Sequence, residues 1–153
     1  MNKLFFVVLS LFSIAHAASE NVKFVIDQIN NTTNKTLIGI DHNKKQYTIL
    51  PGNNQANFSM PLRKVFGNLA SSFEIYGHDN NAHLSLNFNL IDNSKYDDKS
   101  FVSLLNRQDA SGAAISNHFF NRTKNATNEE YHISLTLSGD NLEDSKISKL
   151  VIR

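Results

Sequence analysis

The sequence predicts an all-β protein, an antiparallel β-sandwich of about eight or nine strands with at most one or two short helices. Three observations carry this: apolar and polar residues alternate with period two along much of the chain, turn-forming residues separate the alternating runs, and only one segment shows clear helical spacing. Alternation is what a strand with one buried face requires, because successive side chains point to opposite faces.

The first seventeen residues stand apart. Lys3 supplies a short positive region, Leu4 to Ile14 is an apolar run broken only by serines, and Ala15-His16-Ala17 ends it in a small-residue cleavage pattern. This is the pattern of a secretory signal peptide. The run is eleven residues long, whereas a membrane span needs about 20. The expectation is cleavage after Ala17 and a single β-sandwich domain over residues 18–153. The protein would then be secreted or periplasmic, with no transmembrane segment after cleavage.

Strands are expected at Val22–Ile29, Thr36–His42, Gln46–Leu50, Ala56–Met60, Ser72–His78, His83–Ile91, Ala113–Phe120, Tyr131–Ser138 and Ile147–Ile152. The clearest is His83–Ile91, with Leu84, Leu86, Phe88 and Leu90 on one face. Tyr131–Ser138 repeats the pattern, with Ile133, Leu135 and Leu137 inward and His132, Ser134 and Thr136 outward. Phe73 and Ile75 join these residues in the expected core. Pro61 to Leu69 competes with the all-β reading, since Leu62, Val65, Phe66 and Leu69 fall at helical spacing behind a proline suited to a first turn, but Gly67 weakens it, and one short helix or a turn is expected there. Ser100–Asn106 fits strand or helix.

A hairpin register follows if Ile75 faces Leu86, Phe73 faces Phe88 and His78 faces His83, leaving residues 79–82 as the loop. His78 and His83 would then form a cross-strand pair beside Asp79. Two imidazoles and a carboxylate make a reasonable first shell for zinc or copper; the plain alternative is a pair of solvated hairpin residues. No other cofactor is indicated. Two acidic loops, Asp92 to Asp98 and Asp140 to Asp144, lack the spacing of the helix-loop-helix calcium loop and read as solvated turns.

Composition narrows the function classes. The chain has no cysteine, so disulfides, thiolate metal sites and cysteine nucleophiles are excluded. Without Lys3, fourteen basic residues balance fourteen acidic ones, which argues against nucleic-acid binding by phosphate neutralisation. Asparagine is abundant at twenty-one residues, in keeping with many tight turns. Six N-x-S/T sequons begin at Asn30, Asn31, Asn34, Asn57, Asn121 and Asn125, which a eukaryotic secretory pathway would read as glycosylation sites. The H-E-x-x-H, G-x-S-x-G, Walker and G-x-G-x-x-G signatures are missing, so no catalytic residue is indicated.

One pattern spans about half of the chain beyond the leader. It runs through Val22-Lys23-Phe24-Val25-Ile26, Asn31-Thr32-Thr33-Asn34-Lys35-Thr36-Leu37 and Ile49-Leu50-Pro51-Gly52. It continues with Ala56-Asn57-Phe58-Ser59, Gly67, Phe73-Glu74-Ile75-Tyr76 and Leu84-Ser85-Leu86-Asn87-Phe88. This layout resembles aegerolysin- and actinoporin-like secreted β-sandwich proteins. The resemblance implies a sandwich that recognises lipid head groups or glycans at a membrane surface. The chain departs from those families in having no tryptophan.

The leading functional expectation is a secreted, non-catalytic binding protein for a surface glycan, lipid or protein, with Tyr47, Tyr76, Tyr96, Phe119 and Phe120 as candidate contact residues. The alternatives are a metal-binding protein or hydrolytic enzyme using the His78/His83 hairpin, and a periplasmic enzyme inhibitor or immunity protein.

Overall fold

The computed structural model describes residues 21–61, 63–65, 68–77, 82–90, 99–106, 114–121 and 128–153. The leader and Tyr96 lie outside them. The described residues are all β, with no helix among them and eleven strands: β1 (Asn21–Asn31), β2 (Leu37–Ile40), β3 (Gln46–Ile49), β4 (Gly52–Pro61), β5 (Arg63–Val65), β6 (Asn68–Tyr76), β7 (His83–Leu90), β8 (Lys99–Asn106), β9 (Ala114–Asn121), β10 (Asn128–Leu137) and β11 (Lys146–Ile152).

They form two sheets, a four-stranded one in the order β11-β10-β1-β4 and a seven-stranded one in the order β3-β2-β6-β7-β8-β9, with β5 paired to β6. All pairings are antiparallel except β1 with β10, which run parallel. The core is shared by both sheets. Phe24, Ile26 and Ile29 of β1 and Tyr131, Ile133, Leu135 and Leu137 of β10 meet Phe73 and Ile75 of β6, Leu84 and Leu86 of β7, and Val102 and Leu104 of β8. Aromatic rings bridge the layers, with Phe58 stacked on Phe73 at 5.4 Å and Phe120 against Tyr131 at 5.3 Å.

The alternation places Leu84 and Leu86 of β7 and Ile133, Leu135 and Leu137 of β10 in the core, while Ser85 and His132 on the opposite faces are covered as well. The side chains of Phe88 and Leu90 lie outside those described. In β1 the inward residues Ile26 and Ile29 are three apart, which a regular strand cannot accommodate. A β-bulge resolves the conflict: pairing shifts between Ile26 and Gln28 against both β10 and β4, so Asp27 is left out of register and Ile29 returns to the core. On β4 the bulge is completed by Asn57 at φ 54°, a left-handed conformation that asparagine tolerates.

Of the short helix or turn expected over Pro61–Leu69, the described residues show no helix: Arg63–Val65 and the start of β6 pair as a hairpin, Arg63 opposite Ala70 and Val65 opposite Asn68. Nine residues containing Gly67 are too few to pay the cost of helix nucleation against an available strand partner. One expectation is corrected. The β6–β7 hairpin keeps its predicted faces but slips by two residues, so that Ile75 faces Leu84, Phe73 faces Leu86 and Tyr76 faces His83. The turn closes with Gly77 N–H donating to Ala82 C=O, 2.9 Å. His83 is therefore opposite Tyr76 and not opposite His78, and the expected cross-strand histidine pair is lost. The ambiguous segment Ser100–Asn106 lies in β8, with Val102 and Leu104 inward.

Candidate functional site

Tyr47, Tyr76, Phe119 and Phe120, the sequence-derived contact residues among those described, are dispersed over the seven-stranded sheet. Tyr47 of β3 points between the sheets, its ring 3.9 Å from that of Phe58. Its hydroxyl donates to Asp41 Oδ2 at 3.0 Å. Tyr76 and His83 stack on the outer face at 4.5 Å with nearly parallel rings, and the Tyr76 hydroxyl donates to Glu74 at 2.6 Å. Phe120 packs inward, whereas Phe119 is 62% exposed beside Phe101. His78 and Asp79 lie outside the described residues. Among the described residues no group of three or more His, Asp or Glu side chains is placed to hold a metal ion.

Asp41 anchors the β2–β3 turn. Burial pushes its carboxyl up, but the Lys45 N–H, the Tyr47 hydroxyl and the Asn43 N–H outweigh this and hold it below the ordinary 3.8. A carboxyl lowered in the folded state contributes stability above its unfolded value and loses it as pH falls through the folded value. Acid titration of stability should therefore steepen below pH 3.8, and Asp41→Asn should flatten that segment; identical acid profiles would contradict the assignment.

A cluster of titratable groups on the outer face of the four-stranded sheet was not legible in the sequence. The bulge at Asp27 brings its carboxylate to His132 Nδ1, 2.8 Å, while Glu130 takes His132 Nε2 at 2.9 Å and Lys23 Nζ at 3.0 Å. Lys23 beside Glu130 holds that carboxyl below its usual range, with His132 adding to the effect. Both ring nitrogens of His132 are engaged, leaving neither free for a metal or for proton abstraction. The network ties β1 to β10.

A cleft lies at one end of the sandwich. A cavity of about 350 Å³ is lined by three loops: Thr32, Thr33, Asn34 and Lys35 before β2, Gly77 and Ala82 of the β6–β7 turn, and Gly139, Asp140, Asn141 and Leu142 between β10 and β11. Its floor is apolar, with Leu37, Ala82 and Leu142 buried. Its described rim is made of amides, hydroxyls and backbone, with one cation, Lys35, and one carboxylate, Asp140.

The loops are braced from below. Asn31 is 1% exposed; its amide donates to Lys35 C=O (2.9 Å) and Ile49 C=O (3.4 Å), and its Oδ1 accepts from Thr33 N–H (3.1 Å) and Thr33 Oγ1 (2.6 Å). This is an asparagine-nucleated turn. Thr32 crosses to the other loop, its N–H and hydroxyl both donating to Leu137 C=O and its Oγ1 lying 2.7 Å from Ser138 Oγ.

In the β10–β11 loop Gly139 sits at φ 87°, and a Cβ there would meet the Glu143 carboxylate at 2.7 Å. That carboxylate turns back onto the loop, accepting the Asn141 N–H at 2.6 Å, and backbone donors, its own N–H first, hold it low. The second acidic loop is thus closed on its own backbone. Leu142 holds φ 61° with its side chain buried. A left-handed leucine costs of order 1–3 kcal/mol and persists where surrounding structure enforces it, often at ligand sites.

No protein-family model, curated protein or solved structure matches the chain.

Proposed function

We propose that the protein is a non-catalytic binding protein whose ligand is a neutral saccharide seated in the end cavity. The observation that carries this reading is the cavity's chemistry, an apolar floor beneath a rim of amides and hydroxyls on braced loops. A sugar ring presents the complement, hydroxyls around its edge and C–H groups on its faces. The volume is at the small end of the roughly 300–1,000 Å³ of ligand pockets, which suits one ring or a chain terminus.

Among the described lining residues the charges support a neutral ligand, since Lys35 and Asp140 offset each other. Asp140 is the one carboxylate among the described lining residues, which therefore hold no carboxylate pair of the kind glycosidases use. A lipid surface is disfavoured because the exposed large apolar residues among those described, Leu50, Phe119 and Ile152, all lie off the cavity lining.

Glycan and lipid arrays probed with the purified protein test the reading. Binding to glycans is expected, with little change on adding salt or chelator or on His83→Ala. Asn141→Trp, which fills the cavity from its exposed rim, should weaken binding at least about tenfold, or about 1.4 kcal/mol. Binding confined to lipids, or abolished by chelator, would refute it.

A further inference from the structure

The β10–β11 loop brings Gly139, Asp140, Asn141 and Leu142 to the cavity, and its backbone is left-handed at both Gly139 and Leu142. Such a shape needs enforcement. Part of it comes from the base of the loop: Ser145 N–H donates to Leu142 C=O at 3.2 Å, Asp144 N–H to Ser138 C=O at 3.4 Å, and Ser138 N–H to Ser145 Oγ at 3.1 Å. Burial anchors the Leu142 side chain. None of these ties reaches Asp140 or Asn141, the two exposed residues at the tip.

Glu143 reaches both. Its side chain folds back so that the carboxylate fills the hollow left by the missing side chain of Gly139, where a Cβ would lie 2.7 Å from Glu143 Cδ. Oε2 accepts the Asn141 N–H at 2.6 Å. The N–H groups of Glu143 itself and of Asn141 favour the charged form most, burial opposes them, and the Asp140 N–H adds to them, so the carboxyl is held below the ordinary 4.5. Glu143 is exposed and is not among the described lining residues. It bears on the cavity through the backbone of the tip.

We propose that Glu143 is the positioning residue of the end cavity and that its carboxylate, by holding the tip of the β10–β11 loop, makes ligand release acid-dependent. The inference rests on the reading of that cavity as the ligand site. A carboxylate only accepts, and its bonds to N–H groups are roughly twice as strong as neutral ones, whereas a carboxylic acid spends one oxygen on its own proton. Protonation therefore loosens the tie that Asp140 and Asn141 share. Because the carboxyl is lowered in the folded state, the tie is fully present above 4.5 and is lost as pH falls through the folded value. The charged residues around it are Asp140 and Asp144 of the same loop, Lys146 at the start of β11 and Lys35 across the cavity; the described residues of the β6–β7 turn, Gly77 and Ala82, are uncharged.

Two measurements test this, with circular dichroism confirming the fold at each pH. In the ligand-free protein the Asn141 and Glu143 amide protons should titrate together with one midpoint below 4.5, and Glu143→Gln should abolish that titration. Affinity for the saccharide that binds best on the glycan array is the second readout. Glu143→Gln keeps an acceptor without the charge and should bind about fivefold more weakly at neutral pH, the difference between a charged and a neutral hydrogen bond. The variant retains Asp140, so any difference between the two pH profiles belongs to Glu143. That difference should shrink to nothing in acid, with the parent losing affinity by at most about tenfold per pH unit more than the variant. An Asn141 amide that ignores acid, equal affinities at neutral pH, or a ratio of affinities that stays constant with pH would overturn the proposal while leaving the cavity as the ligand site. A parent that binds no glycan at neutral pH would overturn the reading of the cavity, and the proposal with it.

Discussion

Phe73→Ala is expected to cost about 3–5 kcal/mol of folding stability, the range for deleting a large buried aromatic. Phe73 is fully buried between the sheets, stacked on Phe58 and 6.3 Å from Tyr47. Its ring fills the space over Gly39 so closely that a Cβ on Gly39 would lie 2.5 Å from Phe73 Cζ. Gly39→Ala alone should therefore cost about 1–3 kcal/mol through overpacking. In the Phe73→Ala background the added methyl occupies vacated space, so the two costs should fall short of additive. Urea unfolding of the parent, both single variants and the double variant measures this. Additive losses, or Phe73→Ala as stable as the parent, would remove the Phe73–Gly39 contact from the centre of the packing.

Asn31→Ala should lose stability and ligand binding together. The side chain makes four hydrogen bonds while buried, and leaving such groups unsatisfied costs about 1–3 kcal/mol. The larger consequence is local, because the turn that carries Thr33, Asn34 and Lys35 to the cavity is nucleated by this one amide. Asn31→Asp keeps the acceptor for Thr33 but removes both donations to carbonyls, and it should lose binding as well. Asn34→Ala, at an exposed rim position, should weaken binding without moving the urea midpoint. A variant at Asn31 that retains full affinity would separate the turn from the site.

Period-two patterning made the faces of β7 and β10 legible, and with them the core residues Phe73, Ile75, Leu84, Leu86, Ile133, Leu135 and Leu137. The same period explains the hairpin error. A slip of two residues leaves every side chain on its face, so alternation cannot distinguish Ile75 opposite Leu86 from Ile75 opposite Leu84. The Gly77–Ala82 closure decides it. The bulge in β1 left a trace in the three-residue spacing of Ile26 and Ile29, but its effect on Asp27 depends on where β10 places His132. The cavity was less legible still. The asparagine- and threonine-rich turn and the Gly139-Asp140-Asn141 turn both show as turn chemistry, yet their meeting depends on the parallel pairing of β1 with β10, strands separated by most of the chain. Local pattern carries no information about that pairing. The described aromatic candidates, Tyr47, Tyr76, Phe119 and Phe120, do not share one patch for a related reason: aromatic residues mark strands and core as readily as ligand contacts, and Tyr47 and Phe120 are engaged in packing the sheets together.

The central claim is that the end cavity, and not the outer face of the seven-stranded sheet, receives the ligand. Amide chemical-shift mapping on the purified protein, titrated with the saccharide that binds best on the array, tests this most directly. The account predicts shifts concentrated at Thr32 to Lys35, at Gly77 and Ala82, and at Gly139 to Leu142. Shifts centred on Tyr76 and His83, or on Phe101 and Phe119, with the cavity loops unmoved, would contradict it.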